Sequence, residues 1–102
     1  MREPVEISPA ARHDLAAIWE YISRDNEEAA TNLLQSIYRQ CLALAELPGL
    51  GKSRDIDLAR GLRSYPVGRY VIYFRMRNSK LELVRVIHSA RDLTEMFEPD
   101  SD

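Results

Sequence analysis

The sequence predicts an α+β fold, in which an antiparallel helical hairpin packs on one face of a mainly antiparallel β-sheet. Apolar side chains recur with a helical period over residues 9–46, whereas residues 62–88 alternate or run continuously as strands do. A short extended segment precedes the helices, so the predicted order is β-α-α-β-β-β. The 102 residues are expected to form one domain, 1–102, with residues 98–102 as a frayed acidic tail.

The N-terminal segment predicts a strand followed at once by a helix. Pro4–Ile7 alternates apolar and polar residues, as a short strand does. Ser8 supplies a capping hydroxyl, and Pro9 suits the first position of a helix. The apolar stripe of this first helix consists of Ala11, Leu15, Ile18 and Ile22.

The second helix is expected to follow the first almost without a loop. Asp25 or Asn26 ends the first helix, and Asp25 with Glu28 resembles a capping box. Residues 47–49, Leu-Pro-Gly, stop the second helix. Its apolar stripe consists of Ala30, Leu33, Leu34, Ile37, Cys41, Leu44 and Ala45. So short a connection predicts an antiparallel hairpin.

Three strands are expected in the C-terminal half. They are Leu62–Tyr65, Tyr70–Arg75 and Leu81–His88, with turns at residues 66–68 and 77–80. Leu93–Phe97 is expected to add a helical turn.

The third of these strands is expected to be central, because it is apolar on both faces. Strict alternation places Leu83 and Ile87 on one face, and Val84 and Val86 on the other.

Charge is segregated along the chain, although the net charge is only −2. Residues 1–51 sum to −4, residues 52–91 to +7 and residues 92–102 to −5. The cations from residue 60 to 91 are Arg60, Arg63, Arg69, Arg75, Arg77, Lys80, Arg85 and Arg91, with Glu82 among them. A sheet this basic predicts an anionic or acidic partner. The alternative is a solvated face whose cations pair with the acidic helices, each pair contributing roughly 0–1 kcal/mol.

Several classes of protein are disfavoured. Residues 48–53 end in Gly-Lys-Ser, but Glu46 stands where a phosphate-binding loop needs its first glycine. Cys41 is the single cysteine and is expected to be buried, and no cysteine or histidine cluster predicts a metal or cofactor. No apolar run is long enough to span a membrane, and the expected location is the cytoplasm.

His88 is the strongest candidate for chemistry. Cleaving an RNA phosphodiester through its 2′-hydroxyl needs an acid, a base and cations near the phosphorane. His88 could act as acid or base, while Arg63, Arg85 and Lys52 could neutralise charge. Arg85 and His88 should point to opposite faces of a regular strand unless a bend near Ser89 brings them together. A histidine hydrogen-bonded at the end of its strand is the alternative.

The order of several short segments resembles the toxins of the RelE/ParE superfamily of bacterial toxin–antitoxin pairs, over about residues 5–97. The segments are Asp14-Leu15, Tyr21-Ile22, Leu47-Pro48-Gly49, Gly61-Leu62-Arg63-Ser64-Tyr65, Tyr70-Val71-Ile72-Tyr73, Arg85-Val86-Ile87-His88 and Arg91-Asp92-Leu93. RelE-like members cut messenger RNA on the ribosome, whereas ParE-like members poison DNA gyrase and have no known catalytic residues. The chain is more similar to the ParE-like branch in its Gly61-Leu62-Arg63 strand and in its Val86-Ile87-His88 and Arg91-Asp92-Leu93 ending. Its only lysines are Lys52 and Lys80, which departs from the lysine-bearing RelE-like pattern.

The resemblance implies a gyrase-binding toxin that is neutralised by a ParD-like antitoxin, with no cofactor. The residues expected to contact partners are Arg63, Tyr65, Arg75, Arg85, His88 and Arg91. The alternative is a ribosome-dependent endoribonuclease that uses His88, Arg63, Arg85 and Lys52. A third possibility is a regulatory antitoxin-binding protein without toxicity.

Overall fold

The predicted α+β architecture is confirmed by the computed structural model, which describes residues 3–91. The elements in chain order are β1 (Val5–Ile7), α1 (Pro9–Ser23), α2 (Glu27–Glu46), a 3₁₀ turn (Pro48–Leu50), β2 (Lys52–Ser53), β3 (Arg63–Val67), β4 (Tyr70–Arg77) and β5 (Lys80–His88). The sheet has the order β1-β5-β4-β3-β2, and only β1 is parallel to its neighbour. The helical turn expected at Leu93–Phe97 and the acidic tail lie outside the described residues.

The hairpin between α1 and α2 has the short connection that the sequence predicts, but with a different cap. The predicted capping box of Asp25 and Glu28 is wrong, because Asn26 is the cap and its side chain accepts the Ala29 N–H at 2.9 Å. The N–H groups of Asp25 and Asn26 both donate to Ile22 O, so Asp25 still belongs to the last turn of α1. In contrast, Ser8 caps α1 as predicted, since its Oγ accepts the Ala11 N–H at 3.0 Å.

β3, β4 and β5 are longer than the sequence predicts, whereas β1 is one residue shorter. β2 was missed because it has only two residues. β3 continues through Pro66, which was expected to end it. This is possible because β2 pairs only with Arg63 and Ser64, so β3 has a free edge where Pro66 lacks its N–H.

Tight two-residue turns join the long strands. Gly68, with φ of 61°, precedes Arg69 between β3 and β4, the arrangement of a type II′ turn. Asn78 and Ser79, with φ of 54° and 64°, form a type I′ turn between β4 and β5. Both turns match the right-handed twist of the strands and therefore fix the register of the sheet.

A β-bulge at Val84 changes the faces of the last strand. Tyr73 pairs with Arg85 while Phe74 pairs with Leu83, so Val84 has no partner on β4. One extra residue inverts the alternation beyond it. Leu83 and Val86 therefore share the helix-facing core, and Val84 and Ile87 share the opposite face. The predicted division of these four side chains is wrong for that reason, although β5 is an interior strand as predicted.

The helix-facing side of the sheet carries the larger core. Its buried members are Val5, Ala11, Ile18, Ile37, Cys41, Leu44, Ile72, Phe74, Leu81, Leu83 and Val86. Gly51 approaches this core so closely that a Cβ there would lie 2.5 Å from Phe74 Cζ. Most of the buried apolar side chains therefore lie between the helical hairpin and the sheet.

A smaller core lies on the other face, beneath the loop that joins β2 and β3. Leu58 and Leu62 of that loop pack with Tyr73 and Ile87 of the sheet. Arg54 holds the loop, since its guanidinium binds the Asp57 carboxylate and donates to Ser64 Oγ at 3.2 Å. The loop thus covers part of the face that the helices leave open.

The edge of β5 beyond the end of β1 is completed by polar groups from α1 and its cap. Ser8 donates its N–H to Leu83 O at 3.0 Å and its hydroxyl to Val84 O at 2.9 Å. Farther along, the Asp14 carboxylate accepts the Val86 N–H at 2.9 Å. The same carboxylate accepts Arg85 Nε and Nη2 at 2.7 and 2.9 Å, and these hydrogen bonds raise the pKa of Arg85. Backbone groups that a longer β1 would have paired are thereby satisfied.

Replacing Asp14 should destabilise the fold strongly for a residue on a helix surface. Asp14→Ala leaves the Val86 N–H and the Arg85 charge without their acceptor, so the free energy of unfolding should fall by about 2–3 kcal/mol. Urea denaturation measures this, with Glu20→Ala on the exposed side of α1 as the control. Equal stability of the two variants would contradict the role given to Asp14.

Cys41 should be unreactive in the native protein. Burial raises the pKa of this thiol to about 12, so the thiolate that reacts with alkylating agents is scarce at pH 8. Iodoacetamide should modify the native protein at least a hundredfold more slowly than the protein in guanidinium chloride, on the order expected from the thiolate fractions. Modification at similar rates, followed by mass spectrometry, would refute the buried assignment.

The same thiol makes stability depend on pH. Because the pKa of Cys41 is higher in the folded than in the unfolded protein, the thiol stabilises the fold below its unfolded pKa, and that stability is lost as the pH rises from about 9 to 12.

Candidate partner-binding site

A cleft opens where the helical hairpin meets the end of β5. Its volume is about 550 Å³. The residues that line it are Tyr21, Ile22, Leu33, Arg69, Tyr70 and His88. We call it the His88 cleft. Of the residues predicted to bind partners, it contains His88, and the other five lining residues are the neighbours of that side chain.

Strand pairing places His88 beside Tyr70 on the helix-facing side of the sheet. The two residues are paired across β4 and β5, and their rings meet edge to face with centroids 5.2 Å apart. His88 Nδ1 accepts the Ala90 N–H at 3.1 Å. Because Nδ1 accepts this hydrogen bond, Nε2 is the ring nitrogen that is left to donate from the exposed side chain.

Arg69 is brought to the cleft by the turn between β3 and β4. Gly68 takes the positive φ that this turn requires, and Arg69 follows as its second residue. Ser89 N–H donates to Arg69 O at 2.8 Å, which fixes the turn against the end of β5. Within residues 3–91 the exposed Arg69 guanidinium has neither an ion pair nor a hydrogen bond.

The walls of the cleft are apolar. Ile22 from α1 and Leu33 from α2 are half-buried and pack against the helix-facing core. Tyr21 stands at the rim with 70% of its surface exposed. An apolar surface beside two cationic or polar donors suits a group that is itself part apolar and part anionic.

The other predicted contact residues on β3 are engaged within the protein. Arg63 Nη1 donates to Gly51 O at 2.8 Å, in the turn that follows α2. Tyr65 is half-buried and packs against the helix-facing core. Both side chains are therefore partly committed to holding β3 against the helical layer.

Arg75 belongs to a charge network on the open face of the sheet. Its Nε donates to Glu82 at 2.7 Å, and Arg77 reaches the same carboxylate at 3.4 Å. These contacts lower the pKa of Glu82, with the hydrogen bond from Arg75 as the largest cause. Lys80 contacts Glu6 at 3.4 Å. Three of the predicted cations are therefore paired with carboxylates, but these belong to β1 and β5 of the sheet and not to the acidic helices that the alternative interpretation named.

The four residues of the nuclease hypothesis do not form one group. Lys52 and Arg85 lie in one row across the sheet, separated by three strand spacings, about 14 Å. Arg63 pairs with Phe74 and His88 with Tyr70, so their rows are about 13 Å apart along β4.

Arg85 and His88 also contact different groups. Arg85 pairs across the strands with Tyr73 of the open face and turns to Asp14, whereas His88 faces the helices with Tyr70. Arg91, the last described residue, is exposed, and its N–H donates to His88 O at 3.0 Å. No cluster of metal-binding side chains occurs among residues 3–91, and no helix there is long and apolar enough to cross a membrane.

Sequence analysis missed Arg69, Tyr70 and Tyr21 as members of the site. The position of Arg69 could have been predicted, because a glycine at the first position of a two-residue connection between strands indicates a tight turn. The pairing of Tyr70 with His88 depends on the register, and the approach of Tyr21 depends on the packing of α1.

Comparison with known proteins agrees with this fold. A family model described as the ParE toxin of the type II toxin–antitoxin system parDE matches residues 5–93. No curated protein matches the chain in sequence. Among solved structures, a chain of the chromosomal ParDE toxin–antitoxin system from P. aeruginosa is similar in fold, with a TM-score of 0.67 and 22% identity. The alignment covers 82% of this chain and 92% of that chain. Because the family model spans nearly all of the sequence, the resemblance is confirmed, and the protein belongs to the ParE toxin family of type II toxin–antitoxin systems.

Proposed function

We propose that this ParE-family protein acts in the cytoplasm by binding and inhibiting DNA gyrase, and that a ParD-like antitoxin neutralises it. The observation that supports a binding mechanism most directly is the separation of His88 from Arg63, Arg85 and Lys52. General acid–base chemistry on a phosphodiester needs these groups within hydrogen-bond reach of one reacting centre. The proposed toxin therefore works without catalysis of its own.

The state of Arg85 adds to this argument. Its guanidinium forms two hydrogen bonds with Asp14 and so is already neutralised by a carboxylate. A cation that stabilises a phosphorane must instead direct its donors at the developing charge. Arg85 supports the structure of the sheet edge in this proposal.

The exposed apolar surface of the helical hairpin supports an antitoxin partner, in addition to the family to which the protein belongs. Trp19 and Tyr38 are 36% and 40% exposed, and with Leu34 they line an open depression of about 460 Å³. Grooves of this kind between helices accept amphipathic segments of protein partners. The solved relative is described as a ParDE system, which is consistent with an antitoxin partner here.

Purified protein should block supercoiling by gyrase from its own host, or trap the enzyme on cleaved DNA. The cause is direct binding, so inhibition should rise with toxin concentration and disappear when the antitoxin is added first. An agarose-gel supercoiling assay measures this, with relaxation by topoisomerase I as the specificity control. Unchanged supercoiling at a large excess of toxin would refute gyrase as the target.

In cells, expression without antitoxin should produce filaments and DNA-damage signalling, whereas harmless expression would favour the regulatory alternative.

The same protein should leave messenger RNA intact on translating ribosomes, because its candidate catalytic groups are separated. Primer extension on a translated message measures cleavage, and the His88→Ala and Arg63→Ala variants are the controls. Cleavage by the wild type that either substitution abolishes would establish the ribonuclease alternative and overturn the proposed mechanism.

A further inference from the structure

We propose that the His88 cleft receives an acidic–apolar pair of residues from the antitoxin, an apolar side chain beside a carboxylate. The inference rests on the proposed antitoxin partnership and assigns it a specific contact. It starts from the six residues that line the cleft at the junction of the hairpin and the sheet.

The donors of the cleft define the anionic half of the occupant. Arg69 is exposed and has no carboxylate partner within residues 3–91. His88 presents Nε2–H, because Nδ1 is occupied by the Ala90 N–H. Both residues are set on fixed backbone, since Ser89 N–H holds Arg69 O at 2.8 Å. A carboxylate accepts charge-assisted hydrogen bonds from such donors.

The walls define the apolar half. Ile22 and Leu33 offer aliphatic surface, and Tyr70 contributes a ring that is held by the ring of His88. Burying an aliphatic or aromatic side chain there removes apolar surface from water on both partners. The carboxylate and the apolar group must come from neighbouring positions, because donors and walls line one cleft of 550 Å³.

The open form of the cleft favours a peptide over a small molecule. Tyr21 is 70% exposed at the rim, and His88 and Arg69 are also exposed. Sites for small molecules are usually enclosed and bury most of the ligand. A peptide can lie across an open cleft and gain the rest of its affinity elsewhere on the surface. The net charge of +7 on residues 52–91 further favours an acidic segment.

The test is the affinity of purified antitoxin for toxin variants, measured by titration calorimetry. Arg69→Glu reverses the charge in the cleft, and Tyr21→Ala removes its rim. Each should weaken binding about tenfold or more, because a charge pair or an apolar contact is lost. Arg60→Glu is the matched control, an exposed arginine in the loop outside the cleft, and should change the affinity less than threefold. Thermal unfolding verifies that each variant is folded.

The outcomes separate this inference from the function on which it rests. Unchanged affinity of Arg69→Glu and Tyr21→Ala would overturn the cleft assignment while leaving the antitoxin partnership intact. Equal weakening by Arg60→Glu would also overturn it, because the effect would then be one of general charge. Loss of gyrase inhibition with normal antitoxin affinity would assign the cleft to the target instead. Failure of the wild type to bind antitoxin would refute the partnership and the cleft contact together.

Discussion

The rest of the structure depends on how the edge of β5 is completed where β1 ends. β1 has three residues and β5 has nine, so much of β5 lacks a neighbour on that side. Ser8 and Asp14 supply the missing hydrogen-bond partners, and Asp14 also binds Arg85. Because these residues belong to the start and middle of α1, the interaction sets the helix against the sheet. The position of α1 then determines where Tyr21 and Ile22 meet the end of β5.

The net charge of a segment does not by itself describe the surface of this protein, because several of its cations form ion pairs. Residues 52–91 carry a formal charge of +7, yet Arg75, Arg77 and Lys80 lie against Glu82 and Glu6. The cations that keep no carboxylate within residues 3–91 include Arg60 and Arg69, which lie in separate connections between strands. Such a distribution suits local contacts with acidic segments of a protein better than the continuous positive track that a nucleic-acid backbone requires.

The His88 cleft shows how turn chemistry can build a contact site on a small fold. Gly68 allows the II′ turn that presents Arg69. The register set by the Asn78-Ser79 turn and the bulge at Val84 pairs Tyr70 with His88. The helical hairpin adds the apolar walls, and its own connection is short, since α1 and α2 are joined by three residues, 24–26. The proposed binding mechanism needs surfaces of this kind for its partners, and these surfaces can be built without a catalytic constellation.

The sequence by itself determined the fold class, the two helices and the three long strands. Its periodicities, the Ser8-Pro9 start and the Leu-Pro-Gly stop are local signals that tertiary packing did not override. It also determined the burial of Cys41. Only the tertiary structure decided which faces Val86 and Ile87 occupy, because a bulge at Val84 inverts the alternation and depends on pairing with β4. Likewise, the partners of Arg85 and the neighbours of His88 are distant in the sequence. Contacts such as Asp14 with Arg85, 71 residues apart, follow from packing and leave no periodic signal in the chain.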